Sequence, residues 1–228
     1  MNKISRRQFL RTGAAAGMLS AAVVSGTTSA SACYKPELDL TCTQTPVVEG
    51  YDWGPGVKAT ILTFNRLLDP RSIRAEDILS VVEHKESMDW TNFGGPHIVV
   101  STPRAVTAAY LCTKEGKKLE VPSRYLCLEM ACDPNTGNPF CYDFLVGMNT
   151  WCKPYELEIT LKEDAALTTI LGQKIRATVD PVVDHQDAVI PQMKRFVTDG
   201  VFQGTDGKEL TYGYYAPKGQ KLPLVIWL

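Results

Sequence analysis

Tyr155-Glu156-Leu157-Glu158-Ile159-Thr160-Leu161 alternates apolar and polar residues at every step. Successive side chains of a β-strand point to opposite faces, so this heptapeptide reads as a strand with one face buried and the other wet. The neighbouring sequence has the same grammar. Val57 to Phe64 is rich in β-branched residues and follows a Gly-Pro-Gly break at Gly54 to Gly56. Ile78 to Glu83, His97 to Ser101, Val106 to Cys112, Leu119 to Val121, a more weakly alternating Tyr125 to Cys132, and Ile175 to Val179 read as further strands. Ser72 stands where it could cap a single helical turn through Glu76.

No sustained 3.6-residue stripe appears between Val47 and Val179. Strand-like runs separated by turn residues suit two sheets packed face to face, which bury the alternating apolar rows. The expected fold is therefore mainly β: an immunoglobulin-like β-sandwich over residues 47–180, preceded by a flexible segment over 33–46. The Asp133 to Phe140 cluster (DPNTGNPF) is expected as a surface loop, and 181–198, with Pro181 and Pro191, as a linker.

Beyond Asp199 the pattern changes. Val201 to Gln203 and Leu210 to Tyr215 flank Gly204-Thr205-Asp206-Gly207, which reads as a hairpin. Leu222-Pro223-Leu224-Val225-Ile226-Trp227-Leu228 is apolar on both faces, as in a strand covered by helices on either side. Residues 199–228 are expected to open a second domain, incomplete within this sequence.

At the other end, Ser5-Arg6-Arg7-Gln8-Phe9-Leu10-Arg11 precedes a short apolar run, Gly13 to Val24, and then Ala30-Ser31-Ala32. A basic front, an apolar middle and an A-x-A end form an export signal, and the paired arginines resemble the twin-arginine type, so 1–32 are set apart from the fold. The protein is expected outside the cytoplasm: periplasmic, cell-surface or extracellular. Cys33 after Ala32 also allows a lipoprotein, the one route by which a membrane partner is expected. Setting aside the four basic residues of 1–32 leaves 20 basic against 25 acidic residues, a net charge of −5. That balance argues against nucleic acid, whose phosphates call for clustered Lys and Arg.

Two stretches carry a family resemblance. Gly200 to Leu228, with Asp206-Gly207 and Tyr212-Gly213-Tyr214-Tyr215-Ala216-Pro217 leading into Leu222 to Leu228, resembles the opening strands of α/β-hydrolases of the esterase and prolyl-oligopeptidase group. Glu49-Gly50-Tyr51-Asp52-Trp53-Gly54-Pro55-Gly56-Val57 resembles the start of the immunoglobulin-like domain that precedes the catalytic domain in certain exported esterases. The resemblance implies a non-catalytic N-terminal domain whose partner is an α/β-hydrolase domain. It also implies that the oxyanion loop, nucleophile and acid–base residues lie beyond Leu228.

The chain itself offers little chemistry. It contains no G-x-S-x-G, and none of His84, His97 and His185 stands in a catalytic motif, so no catalytic, cofactor-binding or metal-binding residue is assigned and no cofactor is expected. Asp184, His185 and Asp187 could supply metal ligands, but in a Pro-flanked linker they read as solvated. Asp133 to Asn138 faintly resembles a calcium loop and lacks its terminal Glu. Glu83 and His84 face opposite ways on a strand, which argues against a catalytic pair. Trp53, Trp90 and Trp151 read as core or, less simply, as a platform for a sugar or polymer. The seven cysteines, Cys33, Cys42, Cys112, Cys127, Cys132, Cys141 and Cys152, lack zinc spacing; export makes disulfides plausible, with one thiol left over, and buried thiols are the alternative. A stand-alone exported binding or adhesion module is the competing reading to the esterase domain.

Overall fold

The computed structural model describes residues 37–89, 91–92, 94–144, 147–215 and 217. The signal, Cys33, Trp90 and the apolar run Leu222 to Leu228 lie outside the described residues. Twelve strands form among them: β1 (Leu38–Tyr51), β2 (Gly54–Leu68), β3 (Ile78–Ser87), β4 (Ile98–Pro103), β5 (Val106–Cys112), β6 (Ser123–Met130), β7 (Phe140–Asp143), β8 (Met148–Trp151), β9 (Tyr155–Leu161), β10 (Ile175–Val179), β11 (Val197–Gln203) and β12 (Glu209–Tyr214). No α-helix occurs among the described residues; helical geometry is confined to short 3-10 turns.

The protein is a β-sandwich. One layer is a five-stranded sheet in the order β10-β1-β2-β6-β5, and the other is a three-stranded sheet in the order β4-β3-β9. All pairings are antiparallel except β1 with β10, where Leu38 to Cys42 run parallel to Ile175 to Val179. The inner faces meet in one core: Leu62, Phe64, Leu111, Leu126 and Leu128 from the larger sheet against Val81, Leu157 and Ile159 from the smaller. Burying each such side chain contributes about 1.5–3 kcal/mol. Tyr155 to Leu161 forms β9 as its alternation requires, with Tyr155, Leu157 and Ile159 buried.

The register of β1 and β2 shifts between Val47 and Val48, which pair with Ala59 and Val57, so Lys58 is an extra residue in β2. Such a bulge flips the parity of the strand. Thr60, Leu62 and Phe64 face the core on one side of it and Val57 on the other. Ala59 and Ile61 are thereby turned outward, where with Cys112 and Cys127 they form a second small cluster on the outer face of the larger sheet.

Several expectations need correction. The first strand begins at Leu38, so residues 38–46 are not a flexible lead-in but most of β1. Asp69, not Ser72, caps the turn in this region: its carboxylate accepts the Arg71 N–H at 3.0 Å at the start of the 3-10 turn Pro70–Ser72. Leu119 to Val121 makes no strand; only Lys118 bridges to Cys112, and the Leu119 N–H bonds the Leu111 carbonyl at 2.8 Å. The loop from Asp133 exposes its first residues, yet Gly137 and Pro139 are buried, and the hairpin β7–β8 follows.

The segment after β10 is not a free linker. Its Pro181 carbonyl accepts the Leu157 N–H at 2.9 Å and Val182 bridges Glu156, which covers one edge of the smaller sheet. Val183 enters the core at 5% exposure. Farther on, the Val189 N–H bonds the Pro46 carbonyl at 2.8 Å and its carbonyl accepts the Val48 N–H at 2.9 Å, along the edge of the larger sheet. Residues 181–189 thus strap the two layers together.

Candidate functional site

Opposite charges are buried between the sheets. Glu83 on β3 and Arg104, just past β4, pair through Nη1 and Oε2, both side chains without exposure. Arg104 also donates to the Val57 carbonyl at 2.8 Å and the Ala131 carbonyl at 2.9 Å, on the facing sheet. Glu83 further accepts the Tyr155 hydroxyl at 2.9 Å and the Gly137 N–H at 3.3 Å. Burial, with the neighbouring Glu83 charge, holds the Tyr155 phenol well above its ordinary pKa. Gly137 has φ +88°, and a Cβ there would stand 2.7 Å from both Arg104 Nη2 and Cys132 Sγ, so only glycine fits. The network is saturated and closed to solvent; it holds the loop on the sandwich and has no opening for a substrate.

Gln44 plays the same part mid-sandwich. Its amide donates to the carbonyls of Leu157 at 2.9 Å and Asp180 at 2.8 Å, and its oxygen accepts the Thr60 hydroxyl at 3.1 Å.

Cys141, His97 and Glu86 superficially form a nucleophile, base and acid. His97 Nδ1 lies 2.7 Å from Glu86 Oε1. Cys141 Sγ, however, is 3.9 Å from His97 Nδ1 and 4.0 Å from Nε2. A thiol aligned with one imidazole lone pair stands much farther from the other nitrogen; equal distances put this sulfur along neither. Burial also pushes the Cys141 thiol pKa up, away from thiolate.

The other residues singled out by the sequence fall as follows. Glu83 is fully buried whereas His84 faces outward, bonding Ser101 at 2.8 Å and Glu158 at 3.1 Å. Asp133 spends its carboxylate on its own loop, accepting from Asn135 N–H at 2.8 Å and the Thr136 hydroxyl at 2.8 Å, and these bonds lower its pKa. Asp184 caps a 3-10 turn through the Gln186 N–H at 2.9 Å, and His185 Nδ1 is 3.7 Å from it. No cluster of three or more His, Cys, Asp or Glu with metal-binding geometry occurs among the described residues. Trp53 stacks on Tyr51 with ring centroids 4.7 Å apart. Trp151 packs edge-on to Tyr155 at 5.5 Å, with His185 tilted across it at 5.6 Å. The six described cysteines are free thiols, five of them buried, so the disulfides that export made plausible do not form among them.

Several exposed apolar and aromatic side chains gather on the ribbon β11–β12. Phe202 pairs with Leu210, Gly200 with Tyr212 and Val197 with Tyr214, and this shared face exposes Phe202, Leu210, Tyr212 and Tyr214 by 45–51%. The Tyr212 ring lies over Gly200, where an added Cβ would meet it at 2.6 Å. Tyr212 also stacks with Tyr214 and meets Phe202 edge-on, both at 6.0 Å. The opposite face carries Val201, Gln203, Glu209, Thr211 and Gly213. A two-stranded ribbon with one aromatic face and no cover among the described residues has the composition of a docking surface.

Comparison with known proteins agrees with this architecture. Residues 43–176 match the model of the esterase Ig-like N-terminal domain. Among solved structures, a thermostable esterase superposes with a TM-score of 0.54 at 16% identity, over 78% of this chain and 43% of that one, a likeness of fold. The chain thus spans less than half the length of that esterase. No curated protein matches.

Proposed function

Because the chain belongs to the family of esterase Ig-like N-terminal domains, we propose that its sandwich is the non-catalytic partner of a serine-type α/β-hydrolase domain in an exported esterase or peptidase. The observation that carries the reading is the ribbon β11–β12. It follows the sandwich directly, exposes one aromatic face, and coincides with the stretch whose sequence resembles the opening strands of α/β-hydrolases. On this reading the ribbon's aromatic face packs against the catalytic domain, and the sandwich, held rigid by Glu83–Arg104 and the 181–189 strap, positions or shields it. The Arg6-Arg7 signal supports export through a twin-arginine route, and Cys33, directly after Ala32, stands where a lipoprotein carries its lipid.

The reading assigns no reaction to the described residues, because their one cysteine–histidine–carboxylate grouping is misaligned. Antibodies against residues 43–176 should recover from exported fractions of the source cells a polypeptide that labels with a serine-directed fluorophosphonate and hydrolyses p-nitrophenyl acetate. The chain of 228 residues by itself should do neither. A recovered polypeptide that neither labels nor hydrolyses overturns the proposal in favour of a stand-alone binding module.

A further inference from the structure

On the outer face of the larger sheet, Tyr110 of β5 stands opposite Cys127 of β6, and Cys112 opposite Tyr125, so the two cysteines are diagonal neighbours on one face. Both are buried, at 0% and 1% exposure, in the small cluster with Ala59 and Ile61, packed under Val47, Tyr110, Tyr125 and Val189. The Cys112 S–H hydrogen-bonds the Cys127 sulfur and holds that thiol below its ordinary pKa, while the same bond and burial push Cys112 up. A cavity of about 170 Å³ reaches Cys127 but not Cys112. Its one lining cation among the described residues, Lys58, is paired with Glu49 at 3.0 Å, and Glu115 and Glu129 add further negative charge, so nothing there draws in an anion. Well below the about 300–1,000 Å³ of ligand sites, it suits a neutral molecule little larger than water.

From this juxtaposition of two touching thiols with a small cavity at only one of them, we propose that Cys112 and Cys127 form a dithiol that hydrogen peroxide oxidises to a disulfide. The proposal is independent of the esterase reading. Cys127, the thiol that lines the cavity, attacks one peroxide oxygen as thiolate. The O–O bond breaks, the departing hydroxide takes up the Cys127 proton as water, and Cys127 becomes a sulfenic acid. Cys112 then attacks the Cys127 sulfur; the S–O bond breaks, the S–S bond forms, and hydroxide leaves with the Cys112 proton as a second water. The two thiols give up two electrons and two protons, and the peroxide takes both. A disulfide holds its Cα atoms about 4.4–6.8 Å apart, closer than the about 7–8 Å of diagonal neighbours. β5 is the last strand of its sheet, so it can draw in toward β6 as the bond closes.

The test exposes the full chain, reduced and folded, to hydrogen peroxide, blocks remaining thiols with N-ethylmaleimide in urea, and digests it with trypsin and Glu-C without reduction. Those cuts leave each cysteine alone in its peptide, Cys112 in 105–114 and Cys127 in 125–129. Mass spectrometry should find the two peptides joined, lighter than their sum by two hydrogens, and separated again by dithiothreitol. Peroxide added in urea, where the pair is no longer held together, should lose this selectivity. Cys112→Ser should stop the reaction at its first step, so that dimedone labels Cys127 as the sulfenic acid; Cys127→Ser should leave Cys112 unlabelled. Both peptides still carrying N-ethylmaleimide after peroxide, peptide 105–114 joined to any other partner, or equal linkage in folded and unfolded chain each overturns the proposal, and none of these readings depends on a variant.

Discussion

Glu83 and Arg104 illustrate how a single residue can govern the stability of this domain. Both are buried without exposure, and the one other cation on Glu83 in this network is Lys85, whose Nζ lies 3.5 Å from Oε1. Removing Arg104 leaves the buried carboxylate to that longer contact and takes away the bonds to the Val57 and Ala131 carbonyls, a loss of about 3–5 kcal/mol. Arg104→Ala should lower stability by that amount in urea unfolding, whereas replacing both by apolar residues, Glu83→Leu with Arg104→Met, should recover much of it. Equal losses in the single and double variants would show that the pair does not act as a unit. A second residue-scale effect concerns the thiols. Burial pushes Cys42 and Cys152 from about 9 up to about 12. Above pH 9 the unfolded chain releases those protons while the folded chain keeps them, so stability is complete below that pH and falls as pH rises toward 12. Urea midpoints should therefore drop between pH 8 and pH 10.5, and Cys42→Ala with Cys152→Ala should flatten the slope, whatever its effect at neutral pH.

At the scale of elements, the ribbon β11–β12 makes the clearest prediction. Phe202→Gln with Tyr212→Gln should raise solubility and reduce binding of an apolar dye. The melting temperature of the sandwich should stay within a degree or two, because no core residue is touched. Leu128→Ala, at 0% exposure in the middle of β6, should by contrast cost about 2–5 kcal/mol, measured by the same unfolding. The elements also divide by how plainly their sequences announce them. β9 and β5 are legible residue for residue, since alternation or a mostly apolar run survives along their whole length. The hairpin β11–β12 is legible from its Asp206-Gly207 turn. The first half of β1 is not, because Gln44 and Pro46 occupy inward positions in the row Leu40, Cys42, Gln44, Pro46, Val48 and break its apolar signature. Only the folded chain shows that Gln44 is fully bonded there. β7 and β8 have four residues each, too few to display a period. Glu83 and Arg104 look like surface charges until the pairing of β3 with β4 folds one back beside the other and the larger sheet closes over both. Sequence alone does not place the two in a common neighbourhood.

Taken whole, the molecule is tied together by long-range pairing. β1 joins β10 across most of the domain, and the 181–189 strap closes over both sheets. Limited trypsin digestion should therefore cut first at Lys194, Arg195 and Lys208, and mass spectrometry should find a resistant body spanning about 38–190. Early cleavage within 181–189 by thermolysin, which cuts before apolar residues such as Val182, Val183 and Val189, would show the strap to be loosely held. Its last anchors are Val189 on Pro46 and Val48, and Gln192, whose side chain accepts the Gly50 N–H at 2.6 Å. Only residues 193–196 separate Gln192 from the ribbon, and four residues span at most about 14 Å even when fully extended. So short a leash keeps any body attached beyond the ribbon at high effective concentration beside the sandwich, and even a weak contact between the two would then stay mostly closed.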